Sequence, residues 1–163
     1  MKTYIGIDPG KTGGIVVLDS GAFIIDKMET PTIGNEYDLQ AMREILIKHQ
    51  DSTVTIENIN GHVAKGRTTA FVMGKGVGIW LGLLAGIGVA HTLVSPQDWQ
   101  KQMWKGVPVQ KKSSGKKDTK AMSLIAAQRL FPNADLRKSE KAEKPHDGIV
   151  DALLLAEYGR RQW

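Results

Sequence analysis

Apolar positions in the first part of the chain keep step with β-strands. "TYIGID" (3–8), "GIVVLD" (14–19) and "AFIIDK" (22–27) are short runs rich in β-branched and aromatic residues, parted by Pro-Gly, Gly-Gly and Ser-Gly. This predicts a meander of three antiparallel strands with Ser20-Gly21 as a tight turn. The spacing then changes: Leu39, Met42 and Leu46 in "NEYDLQAMREILIKHQ" recur at helical intervals and predict an amphipathic helix. "STVTIEN" returns to alternation through Val54 and Ile56 and ends at Glu57, a fourth strand with a carboxylate at its far end. The Gly-rich run 66–87 predicts a helix and "GVAHTLVSP" a fifth strand. Further helices are expected over "PQDWQKQMW", over "DTKAMSLIAAQRLFP" with Pro132 as its stop, and over "HDGIVDALLLAEYGRR". The order βββαβαβ followed by helices contains no repeat and predicts an α/β fold in a single domain, residues 1–163.

A chain of 163 residues is long enough to bury a proper core. It contains no Cys, which excludes a disulfide framework, a thiolate metal site and a cysteine nucleophile together. Gly, Asp and Pro interrupt the N-terminal apolar run, so no signal peptide is expected. The stretch "AFVMGKGVGIWLGLLAGIGVA" is apolar but broken by Lys75, and its uninterrupted part falls short of the roughly 20 residues a membrane span needs. A buried helix is expected there, with no membrane partner.

Charge is unevenly placed. The net charge is +5, yet residues 101–120, "KQMWKGVPVQKKSSGKKDTK", hold seven Lys and one Asp. All the basic excess therefore sits in one segment, through Lys101, Lys105, Lys111, Lys112, Lys116, Lys117 and Lys120. That is the footprint of a polyanion-binding surface, with a solvated lysine loop as the plainer alternative. Its Gly, Ser and Lys content predicts a mobile loop over 105–117.

The opening "GIDPGKT" is one residue short of the phosphate-cradling pattern G-x-x-x-x-G-K-[ST]. Pro9 has no amide to donate, Asp8 would repel phosphate, and a strand follows where a helix is needed. Asp8 itself is then the residue of interest, at the end of the first strand. Glu57 ends the fourth, and Asp147 and Asp151 stand four apart, on one face of the last helix. Each has a plain reading: turn residue, exposed strand end, first-turn acid. Together, converging, they would form an oxygen-only site suited to Mg²⁺ or Mn²⁺, and two such ions can drive phosphodiester hydrolysis.

The motifs "YIGIDPGKTGGIVVLD", "VTIENI", "SPQDWQKQMW", "KKDTKAMSLIAAQRLFP" and "HDGIVDALLLAEYGRR" resemble, in order and over nearly the whole chain, the RuvC-like Holliday junction resolvases, in particular their phage and chloroplast branch. The resemblance implies an RNase H-like α/β fold: a five-stranded mixed sheet, three antiparallel strands then parallel ones, flanked by helices. It implies a homodimeric, Mg²⁺-dependent endonuclease that uses two ions, with Mn²⁺ as a substitute, and cuts two opposed strands of a four-way DNA junction. By motif, Asp8, Glu57, Asp147 and Asp151 would hold the metal, and Lys117 would contact the scissile phosphate. Bacterial members place the partner of the last Asp three residues before it, whereas Asp147 precedes Asp151 by four. His146 beside it could assist proton transfer or be a surface residue.

Gly74, Gly78, Gly82 and Gly86 recur every four residues in run 66–87, through which the family dimerises; tight packing on the chain's own sheet is the alternative. Lys65, Arg67 and Lys75 near its start could reach phosphates. Bacterial members carry a junction-wedging aromatic soon after the fourth-strand Glu. Here "NINGHVAKGR" has none, leaving Ile59 and Val63, which predicts selectivity extending to forks or flaps. The location expected is the cytoplasm of a bacterial or phage-infected cell. Rival readings are a general branched-DNA or RNA–DNA hybrid nuclease of the same fold and a DNA-binding module without catalysis. "GIDxG" also opens actin-like sugar kinases, but those need two such domains in a longer chain.

Overall fold

The computed structural model describes residues 2–58 and 66–163. Strands β1 (Thr3–Asp8), β2 (Gly14–Asp19) and β3 (Ile24–Glu29) form the antiparallel meander. A small hairpin, β4 (Thr32–Ile33) and β5 (Glu36–Tyr37), precedes helix α1 (Leu39–Lys48). Strand β6 (Thr53–Glu57), helix α2 (Arg67–Ile87), strand β7 (His91–Val94) and helices α3 (Pro96–Met103), α4 (Thr119–Leu130) and α5 (Asp147–Gln162) complete the order. The main sheet runs β3-β2-β1-β6-β7, with β1–β2 and β2–β3 antiparallel and β1–β6 and β6–β7 parallel. It is the five-stranded mixed sheet that the sequence implies, with helices on both faces.

Period-two alternation sorts the strands between two cores. Ile5, Ile7, Ile15, Val17, Val54 and Ile56 face α1 and α2, where Met42, Leu46, Trp80 and Leu84 are fully buried. Val16 and Leu18 face the other way, onto α3, α4 and α5 through Trp99, Ala126, Leu153 and Ala156. Gly6 also faces α5, and a Cβ there would land on the Ala152 carbonyl oxygen and the Ala156 nitrogen. Gly148, in the first turn of α5, lies equally close to the backbone of Gly13, to which it is bridged. Helix α5 therefore sits on the β1–β2 ribbon closer than any side chain would allow.

Four details depart from the expectations above. β3 begins at Ile24 because the β2–β3 connection is longer than a two-residue turn: Asp19 Oδ1 accepts from the Phe23 amide at 2.8 Å and Ala22 lies at φ 65°. Residues 36–37 belong to the β4–β5 hairpin, turned at Gly34 (φ 60°), so α1 starts at Leu39 behind its cap, Asp38, which accepts from the Ala41 amide at 3.0 Å. Leu39 is 52% exposed, and Ile45 joins Met42 and Leu46 in the core instead. Helix α2 is not a buried helix: its 21 residues are apolar enough, by length and composition alone, to cross a bilayer, yet only 17% of its apolar window is buried. It is buried at Gly76, Trp80 and Leu84, with Ile79, Leu81, Leu83 and Ile87 partly covered, and leaves much of its remaining surface exposed.

Because the atoms opposing Gly6 are α5 backbone, they cannot rotate aside. Gly6→Ala should lower stability by about 2–3 kcal/mol, read by urea unfolding.

Candidate functional site

Asp8 and Glu57 are the last residues of β1 and β6, which lie side by side with Ile7 opposite Ile56. Counting two residues on, Asp8 shares a face with Gly6 and Glu57 with Thr55, the face on which α5 packs; a Cβ at Gly159 would meet the Thr55 hydroxyl. Two adjacent strand ends thus deliver two carboxylates to one helix. That helix carries Asp151 one turn from its start. The Gly10 amide approaches Asp8 Oδ1 at 3.4 Å, so the Pro-Gly segment is a turn around a carboxylate and not a phosphate loop.

Burial dominates the electrostatics. It pushes the Asp8 carboxyl up to about 6, against the lowering effect of the Gly10 amide, and nearby Asp147 adds to the rise. Glu57 is pushed up to about 7 by burial, despite an indole N–H bond from Trp99 at 2.8 Å, with Asp8 adding to the rise. Asp151 also rises to about 7, mainly through burial, against the lowering effect of the nearby Ser123 hydroxyl; Asp8, Glu57 and Asp147 all repel it. Asp151 Oδ1 is buried with no hydrogen-bond partner among the described residues. Three carboxylates that raise one another's affinity for protons, one with an orphaned oxygen, form a site that a hard divalent cation would satisfy. Among the described residues no group of three or more acids or histidines is already gathered into a metal-holding cluster. The donor chemistry fits an ion, and binding one would draw the carboxylates inward.

Asp147 sits apart from these three. It is exposed at the rim, where its carboxylate takes an ion pair from Lys120 at 2.5 Å. His146 is the cap of α5: its Nδ1 accepts from the Ile149 amide at 3.3 Å, and its Nε2 lies 3.7 Å from Glu29.

The basic residues separate into distinct places. Residues 111–117 form a loop closed by a turn, with Lys111 bridged to Lys117, the Lys112 amide bonded to the Lys116 carbonyl at 2.8 Å, and Gly115 at φ 77°. Lys117 rests over the Trp104 ring, its Nζ 4.6 Å from the centroid, while Lys120 is the lysine that reaches the acids. Lys105, Lys111, Lys112 and Lys116 are exposed. Lys75 pairs with Glu36 at 2.6 Å, and Arg67 opens α2 in an exposed position. Lys65, Ile59 and Val63 lie outside the described residues. Trp99 and Ser123 were not singled out from the sequence, since the carboxylates they act on are remote along the chain and no local pattern reports such a relation.

The four glycines of α2 face away from the sheet. A Cβ at Gly74, Gly78, Gly82 or Gly86 would meet nothing, which removes tight packing on the chain's own sheet as their explanation. Gly82 and Gly86 instead line a shallow groove of about 400 Å³, with Ile47 and Arg43 of α1 on its other side.

No protein-family model and no curated protein sequence matches the chain. Solved structures do. RuvC from T. thermophilus in complex with Holliday junction substrate superposes with a TM-score of 0.68, at 17% identity, over 99% of this chain and 96% of that one. A Thermus thermophilus RuvC structure gives a TM-score of 0.65 at 18% identity, over 98% of this chain and 96% of the other. The fold is the RNase H-like fold of RuvC, in agreement with the resemblance drawn from the motifs.

Because burial raises the carboxyls of Asp8, Glu57 and Asp151 above their unfolded values, the folded chain binds more protons between about pH 4 and pH 7, and stability without ions falls as pH rises through that window. In EDTA, Asp151→Asn should therefore be more stable than the parent at about pH 8, on the order of 2 kcal/mol by urea unfolding. The gain should vanish near pH 4, where all three carboxyls are neutral.

Proposed function

We propose that this protein is a divalent-metal-dependent endonuclease that resolves four-way DNA junctions, acting as a homodimer with one cut per subunit. The observation that carries this is the delivery of Asp8, Glu57 and Asp151 to one face at the ends of β1 and β6 and the start of α5, on a RuvC fold spanning nearly the whole chain. Asp8, Glu57 and Asp151 would hold Mg²⁺ or Mn²⁺, with Asp147 joining from the rim. The ions, when bound, supply an activated water and charge neutralisation at the phosphodiester.

The chain's own groups do the rest. Lys120 sets a cation beside the carboxylates, where an incoming phosphate meets it and can take its partner from Asp147. Lys117 reaches the scissile phosphate by leaving the Trp104 ring. The exposed lysines of the 111–117 turn, with Lys105, give sequence-independent affinity for the DNA backbone, joined by Arg67 and Lys75 of α2 and by Lys65, which precedes them in the sequence. A binding module without catalysis has no use for partly buried acids of raised proton affinity, since unpaired carboxylates repel phosphate. The loop after Glu57 contains no Phe, Tyr or Trp, and this favours a second reading in which forks and flaps are cut as well.

The exposed apolar surface of α2 supports the dimer. A helix left 17% buried over its apolar window, with a stripe of glycines facing open space, suits close contact with the same helix of a second copy.

Two experiments test these readings. Labelled four-way junction, three-way fork and linear duplex are incubated with Mg²⁺. Paired symmetric nicks in the junction are expected, with Asp8→Asn slower by on the order of 100-fold or more; equal cutting of the fork would favour the broader branched-DNA nuclease. Gly78→Leu, whose side chain projects into open space in the single chain, should leave the fold intact by circular dichroism yet shift the protein from dimer to monomer in sedimentation.

A further inference from the structure

We propose that Trp99 is a positioning residue for Glu57, holding one carboxylate oxygen so that the other is presented to Asp8 and Asp151; this rests on reading Glu57 as an ion ligand. The placement follows from chain order. β7 lies beside β6 with Val94 opposite Glu57, and α3 starts directly after it: Ser95 accepts from the Asp98 amide at 3.2 Å and Pro96 opens the first turn. The chain thereby turns back at the level of the strand end, and Trp99 enters the core from that turn, fully buried.

Its Nε1 donates to Glu57 Oε1 at 2.8 Å. Among the described residues this is the hydrogen bond the Glu57 carboxylate receives. Indole is a donor only, so the bond has one direction, and burial of the ring leaves it one orientation. The bond is not a general habit of this core. Trp80 and Trp104 are also buried, and their indole nitrogens have no partner among the described residues. Trp104 packs edge-on against Trp99, with centroids 6.0 Å apart and planes at 74°, and is itself covered by Lys117. The indole is thus braced on its outer side, while a strand-end glutamate with three rotatable side-chain bonds would otherwise sample several orientations. Outer partners of this kind set ligand orientation and typically alter ion affinity by about 10-fold to 100-fold when removed.

The test uses the full chain without DNA and reads Mn²⁺ binding by electron paramagnetic resonance for the parent, Trp99→Phe, Glu57→Gln and the double variant, with urea unfolding to confirm that each is folded. Phe retains the ring and its contact with Trp104 but lacks the N–H. The expected result is Mn²⁺ binding about 10-fold weaker in Trp99→Phe, with no further loss from that change once Glu57 is Gln. On a DNA junction, kcat should fall and KM stay unchanged, since the indole does not reach the DNA. An equal loss in both backgrounds, or none in either, would overturn the proposal, because Trp99 would then act on the fold at large or not at all. Parental Mn²⁺ affinity in Glu57→Gln alone would overturn the reading of Glu57 as an ion ligand, a different failure from the first two.

Discussion

The close approach of α5 to the β1–β2 ribbon is the constraint on which the site depends. Gly6 leaves room for the α5 backbone at Ala152 and Ala156, and Gly13 and Gly148 meet backbone to backbone. Seated that low, α5 carries Asp151 to the level of the strand ends, where Asp8 and Glu57 finish side by side. The same closeness excludes water from the carboxylates, which is why burial, more than mutual repulsion, raises all three. In the absence of an ion the site works against stability, a common condition of catalytic centres.

The two faces of the sheet have separate tasks. Helices α3, α4 and α5 cover the face that bears the acids, and they bring the lysine turn and Lys120 to the same side. Helices α1 and α2 cover the other face, and the outer surface of α2 leaves the glycine stripe and the groove beside Ile47 open. Acids on one face and an exposed apolar helix surface on the other is the arrangement that the proposed two-fold nuclease requires.

Much of this was legible along the chain where a local rule controls the outcome. Alternation placed β1, β2 and β6, and helical spacing placed α1 through Met42 and Leu46; the caps Asp38 and His146 were not read, so α1 starts later than expected and Asp147 stands in the first turn of α5. The carboxylates were legible as strand-end and helix residues. Their convergence came from the resemblance alone, because it is set by a glycine contact between Gly6 and Ala152, 146 positions apart, and no periodicity reports that. The exposure of α2 was hidden for a similar reason: its composition is that of a core helix, and only the position of the sheet beneath Trp80 and Leu84 shows how little of it is covered. The lysine segment looked slack because Gly, Ser and Lys favour loops, yet a bridge between Lys111 and Lys117 closes it. The β4–β5 hairpin was too short to leave an alternating pattern.

The central claim is that one divalent-ion site is built from Asp8, Glu57 and Asp151. Anomalous diffraction from crystals grown with Mn²⁺ tests it most directly. A manganese peak within coordinating distance of all three carboxylates is the expected result. Manganese bound elsewhere, with these three carboxylates left without an ion, would contradict it.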